Sequence, residues 1–167
     1  MLLYLLLGLL SIALTIFIIG ILLPKEIIVT KQTTYNHPPE VVYNVVTDNN
    51  NWHYRSSVED LQIIDKQDDI ETWTETTGGT IITFKTLKKT PHCFYSFDMD
   101  CKMFDGYWTG EFKNAGAGKT LFIATELIRI KNPFVKVMAY FFFDIDKLME
   151  DYQNDLAAKL NELTIND

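Results

Sequence analysis

The sequence predicts an α+β protein: a curved, seven-stranded antiparallel sheet and a long C-terminal helix, preceded by one transmembrane helix. Three observations carry this expectation. Residues 1–23, MLLYLLLGLLSIALTIFIIGILL, contain no charged side chain. Short segments rich in β-branched and aromatic residues then follow one another, cut by turn residues. Finally the pattern changes to apolar residues spaced by three or four over about 30 positions.

About 20 apolar residues, rising about 1.5 Å each, cross a hydrocarbon core of about 30 Å. Only Gly8, Ser11, Thr15 and Gly20 interrupt the large apolar or alanine side chains of the first segment. No basic stretch leads into it, and ILLPKE offers no small-residue cleavage site, so residues 1–23 are expected to be an uncleaved single-pass anchor rather than a signal peptide. Lys25 and Lys31 follow the span, and the positive-inside rule then sets the expectation of a domain on the cytoplasmic side.

The net charge of −7 belongs to the rest of the chain. Nucleic-acid binding needs clustered Lys and Arg, so nucleic acid is excluded as an expected partner. Cys93 and Cys101 fall in one extended stretch, HCFYSFDMDCKM, where eight residues of strand would hold them about 26 Å apart. They cannot bridge within that strand, and two free thiols suit a reducing compartment.

After Pro24, EIIVTKQTTY reads as a strand. In NHPPEVVYNVVTD a Pro-Pro pair and Glu40 open a short helix with Val41, Val42, Val45 and Val46 on one face. Six further strands are expected in VEDLQIID, ETWTETT, TIITFKTL, HCFYSFDMDCKM, GYWTGEFK and KTLFIATELIRI, separated by KQDD, GG, KKTP, FDG and NAGAG. From Pro133 a single amphipathic helix of about 30 residues, roughly 45 Å long, is expected. Its stripe is Phe134, Met138, Phe141, Ile145, Leu148, Tyr152, Leu156, Leu160 and Leu163. The first half is apolar on almost every side, so it must be wrapped by the sheet or cover a cavity.

This order of elements resembles the helix-grip fold of the START-related superfamily abbreviated SRPBCC, particularly bacterial members labelled polyketide cyclase or dehydrase. The resemblance covers residues 26–164. HPPEVVYNVVTDNNNWHYRSSVEDLQII looks like the family's opening, with Trp52 and Arg55, and TWTETTGGTIITF is similar to its Trp-x-Glu hairpin, with Trp73 and Glu75. GYWTGEF and GKTLFIATEL resemble its last two strands, the final one carrying Glu126. These are signatures of a fold rather than of a reaction. The resemblance implies a cavity between sheet and helix that often holds a hydrophobic ligand, with catalysis in some members and not in others.

KNAGAGKT ends like a phosphate-binding loop, but Lys113 stands where that loop needs glycine, and a strand-like segment follows where it needs a helix. No nucleotide is expected there; Asn114, Gly116 and Gly118 are expected to supply left-handed positions for a hairpin. Glu75 and Glu126 each share a strand face with apolar residues, where a raised pKa would suit acid or base work. Against this, one of them is expected to pair with Arg55 or Arg129 while the other is solvated.

Arg55, beside Trp52 and Tyr54, is a candidate anchor for a ligand's carboxylate or carbonyl. His37, His53 and His92 show no metal-ligand spacing, and His92 and Cys93 should face opposite sides of a strand; neither metal nor cofactor is expected. The expected ligand-binding set is Trp52, Arg55, Trp73, Glu75, Phe84, Trp108, Phe112, Glu126, Met138 and Phe141. The expected function is a membrane-anchored binding protein for a hydrophobic or amphipathic small molecule, a lipid or polyketide-like compound. The alternatives are an enzyme of cyclase, dehydrase or hydrolase type using a buried glutamate, and an interaction module with a filled core.

Overall fold

The computed structural model describes the backbone of residues 1–166 and side chains to residue 161, so the expectation for Leu163 lies outside the described residues. Helix α1 spans Leu2–Leu22 and leaves nearly all its apolar side chains exposed. Strand β1 (Glu26–Tyr35) leads to α2 (Pro39–Thr47) and a short 3₁₀ turn (Asn49–Tyr54). Strands β2 (Asp60–Gln67), β3 (Ile70–Thr77), β4 (Thr80–Thr90), β5 (Phe94–Asp100), β6 (Phe104–Gly116) and β7 (Lys119–Ile130) follow. Helices α3 (Pro133–Phe142) and α4 (Ile145–Asn166) complete the described chain.

The seven strands form one antiparallel sheet in the order β1-β7-β6-β5-β4-β3-β2. Each turn carries the chain to the neighbouring strand, so β2 to β7 form a meander, and β1 closes onto β7. At Gly78–Gly79 both residues have positive φ, the requirement of a two-residue hairpin whose twist matches its strands. Register shifts in β2 at Ile63/Asp65, in β4 at Thr86/Lys88 and in β6 at Asn114/Gly116 mark bulges, which bend the strands and deepen the curvature.

Helix α4 crosses the concave face, and Leu156 and Leu160 are buried against Val42, Tyr35 and Phe122 in the core. Polar contacts fix its position on β1. Lys31 Nζ meets Asp146 at 2.5 Å, Thr33 donates to Gln153, and the Tyr35 hydroxyl donates to the Gln153 carbonyl at 3.0 Å. α2 packs Val42, Tyr43 and Val46 onto the same core.

Local expectations need correction, among them the breaks at KKTP and FDG, where β4 runs on to Thr90 and β6 already starts at Phe104. The C-terminal segment is two helices, because Phe143 and Asp144 leave helical geometry and the Asp144 side chain accepts from the Lys147 N–H at 2.9 Å, starting α4 afresh. Phe134, Met138 and Phe141 therefore lie on α3, exposed, rather than on the stripe that α4 buries. Strand β5 is shorter than HCFYSFDMDCKM: His92, at φ 59, sits in the turn before it, and the two free thiols flank the strand, Cys93 exposed and Cys101 half-buried. In the β6–β7 hairpin, Ala117 takes a left-handed conformation beside Gly116 and Gly118, while Asn114 instead accepts the Gly116 N–H at 2.8 Å.

Candidate functional site

Alternation along each strand decides which side chains face inward. On β3 these are Glu71, Trp73 and Glu75; on β7 they are Phe122, Ala124, Glu126 and Ile128. β4 contributes Ile82 and Phe84, and β5 contributes Tyr95, Phe97 and Met99. Rings stack across neighbouring strands, Trp73 on Phe84 at 5.3 Å and Phe97 on Trp108 at 5.1 Å between centroids. Gly110 on β6 is needed for this floor, since a Cβ there would lie 2.5 Å from the Trp108 indole.

This floor, with Leu148, Met149 and Tyr152 of α4 above it and Val46, Asn49 and Arg55 at one side, encloses a cavity of about 170 Å³. An apolar cavity of about 150 Å³ accepts a benzene-sized molecule. A second pocket of about 260 Å³, lined only by apolar residues, adjoins it and shares Phe104, Ile128 and Phe143 as walls. Together they reach the range of roughly 300–1,000 Å³ typical of small-molecule sites. Another concavity, about 640 Å³, is an open groove between the α3–α4 joint and β1, and neither Arg55, Glu75 nor Glu126 lines it.

Those polar groups are few and specifically arranged. Glu75 Oε1 accepts from Arg55 Nη1 at 2.7 Å and from Trp73 Nε1 at 2.9 Å. Arg55 Nη2 is buried with no hydrogen-bond partner among the described residues. Glu126 faces the cavity from β7 and has neither a hydrogen-bond nor an ion-pair partner among them. It is half-buried, with part of its surface on the cavity. Burial, reinforced by the Glu75 charge, pushes its carboxyl up to about 7.

Tyr54 and Tyr152 flank Arg55, and burial raises both phenols, so both remain neutral donors. At the far end of β3, Glu71 is a structural tie. Burial alone would raise its pKa, but the hydrogen bond from Lys66 at 2.6 Å, the Lys89 charge and the Asn49 amide at 3.0 Å hold it below the usual carboxylate range. Among the described residues no three His, Cys, Asp or Glu side chains converge as a metal ion would require.

Of the residues expected to bind a ligand, Arg55, Trp73, Glu75, Phe84, Trp108 and Glu126 line the cavity. Phe112 points inward but is taken up by solid packing on Tyr43 and Phe122. Trp52 lies outside, stacked on His53 at 4.2 Å, because the 3₁₀ turn directs Arg55 rather than Trp52 inward. Met138 borders the second pocket and Phe141 the outer groove, a consequence of the break before α4.

Of the expected ion pairing, Glu75 does pair with Arg55, while Glu126 is half-buried and faces the cavity. Arg129 joins Glu26 at 2.9 Å and Asp105 at 3.2 Å on the exposed face of the sheet. Met99 and Met149 are among the cavity-lining residues that sequence reasoning missed. The period of two through Tyr95, Phe97 and Met99 would have placed the first.

No protein-family model and no curated protein sequence matches the chain. Solved structures do. An aromatase/cyclase from a Streptomyces species matches with a TM-score of 0.68 at 10% identity, over 80% of this chain and 93% of that one. A START superfamily protein from Mycobacterium smegmatis matches at 0.62 and 15% identity, over 81% of this chain and 98% of that one. Norcoclaurine synthase from Thalictrum flavum, solved with dopamine and hydroxybenzaldehyde, matches at 0.63 and 11% identity, over 82% of this chain and 87% of that one. At these identities the likeness is one of fold.

Proposed function

We propose that this chain, which has the START-like helix-grip fold, holds a hydrophobic or amphipathic small molecule between its sheet and α4, beside a membrane to which α1 anchors it. The observation that carries the reading is the unfilled space facing Arg55 Nη2 and Glu126, two polar groups without partners among the described residues in a mostly aromatic and aliphatic cavity. A filled-core interaction module would have no such volume.

The charge balance narrows the ligand. Glu75 already neutralises Arg55, so a carboxylate entering the site would bring an uncompensated charge beside two glutamates. A neutral carbonyl, phenol or alcohol instead accepts from Arg55 Nη2 and from a protonated Glu126, and its apolar body lies along Trp73, Phe97 and Trp108. The aromatase/cyclase neighbour and the synthase solved with dopamine and hydroxybenzaldehyde support a ligand of this type, and the direct link of α1 to β1 through residues 23–25 holds the domain against the membrane surface.

The three tryptophans provide the test, because Trp73 and Trp108 line the cavity and Trp52 does not. Full-length protein labelled with 5-fluorotryptophan and extracted in mild detergent is compared before and after bound lipophiles are removed by extraction. The Trp73 and Trp108 resonances are expected to move while Trp52 stays. Three unmoved signals would contradict the proposal.

One observation favours a second reading. A partnerless carboxyl with a pKa of about 7 beside a cavity is suited to act as general acid or base near neutral pH. On that reading the wild type converts the molecule it holds, and Glu126→Gln retains it unchanged by mass. Equal retention by both proteins would leave the binding reading alone standing.

A further inference from the structure

Helix α3 differs from the other helices of the folded domain in leaving its apolar side chains uncovered. Phe134, Met138, Tyr140, Phe141 and Phe142 are 43–79% exposed, and so is Phe143 just after it at 50%. Its only charged residue, Lys136, is buried, with Nζ 3.5 Å from the Leu23 carbonyl at the end of α1, where a cation meets the negative end of the helix dipole. Such a surface does not suit a helix facing water.

What covers it follows from its neighbour. α3 packs on the last turns of α1: the Phe17 and Phe134 rings lie 5.8 Å apart, and at Gly20 a Cβ would come within 2.1 Å of the Pro133 carbonyl oxygen. Phe17 is five residues inside the end of α1 at Leu22, about 7.5 Å along the axis at about 1.5 Å per residue. An interfacial helix buries its apolar face about 5–10 Å into the headgroup and acyl boundary. Tyr140, amphipathic and exposed, suits the headgroup level.

We infer that α3 lies in the same leaflet as the end of α1, with lipid acyl chains covering its exposed face, so that the apolar pocket beneath it opens to the bilayer rather than to water. The occupant is the acyl region of that leaflet, an assignment made by continuity with the α1 surface. Val135, Met138, Phe142 and Phe143 of this segment form one wall of the pocket, Met103 and Phe104 the other, and Phe104 and Phe143 also line the inner cavity. A lipophilic molecule thus has a dry route from leaflet to cavity, past Phe143. The inference rests on the anchoring of α1 proposed above.

Depth measurement tests it on the full chain. In a Cys93→Ser, Cys101→Ser background, single spin labels are placed at Met138→Cys, Phe141→Cys, Leu9→Cys and Glu150→Cys, and the protein is reconstituted into phosphatidylcholine vesicles. Collisions with oxygen are expected to exceed those with a water-soluble nickel chelate several-fold at positions 138 and 141, as at position 9, and the ratio is expected to invert at position 150. Lipid readings at position 9 with water readings at 138 and 141 would overturn the inference while leaving the anchor intact. Water readings at all four would overturn the anchor as well. Spin–spin broadening at 138 and 141, removed by dilution with unlabelled chain, would assign the face to a second copy and also overturn it.

Discussion

On the proposed reading Glu126 and Arg55 set what the cavity can recognise, and their electrostatic situations are opposite. Glu126 is held near neutrality because it has lost water and gained no cation. Its folded pKa of about 7 stands above the ordinary 4.5, so the stability it contributes is present below about pH 4.5 and is lost as pH rises through 7. At about 1.4 kcal/mol per unit, the swing is about 3 kcal/mol. Thermal unfolding in micelles should therefore show wild type losing stability relative to Glu126→Gln between pH 5 and 8; a constant difference would show that Glu126 is hydrated.

Arg55→Met strands Glu75 as a buried charge and should cost about 3–5 kcal/mol, whereas adding Glu75→Gln should restore much of that loss. The two carboxylates were both legible as inward-facing from the period of two. Which of them meets an arginine was not, because Arg55 approaches across a loop whose path leaves no trace in strand periodicity.

Among the elements, α3 and α4 show how a continuous apolar pattern can hide a break. Spacings of three and four run on through Phe141 and Ile145, so the pattern suggests one helix. The contrary signal is Asp144, an N-cap type of residue immediately before Ile145. Asp144→Ala should destabilise the protein by about 1 kcal/mol and speed hydrogen exchange at Lys147 and Leu148, leaving the sheet amides unchanged. Gly20→Leu should have a distinct effect: with no room beside Pro133, α3 lifts from α1, and exchange rises across residues 133–142 while α4 stays protected. Unchanged exchange there would mean that the two helices do not depend on each other. The strands were more readable than the helices because Gly, Pro and Asp punctuate them at nearly every turn, although β4 runs on through Lys88–Thr90 and β6 starts at Phe104, both within stretches expected as turns.

At the scale of the whole molecule, the sheet order places the first and last strands side by side, so that α1, leading into β1, and α3, leading out of β7, emerge together. The apolar helix α1, the exposed face of α3 and the pocket beneath it are thereby gathered at one end of the domain. That clustering follows from long-range pairing, which local sequence patterns do not encode, although every strand involved was recognisable by itself.

The central claim, a small lipophilic molecule held inside the sheet, is tested most directly by native mass spectrometry of full-length protein extracted in mild detergent. Wild type is compared with Ile82→Trp, which fills the cavity opposite Glu75. The account predicts one reproducible small-molecule adduct per wild-type chain and a several-fold loss of it in Ile82→Trp. A wild type without any adduct, or the same adduct at the same occupancy in both proteins, would contradict it.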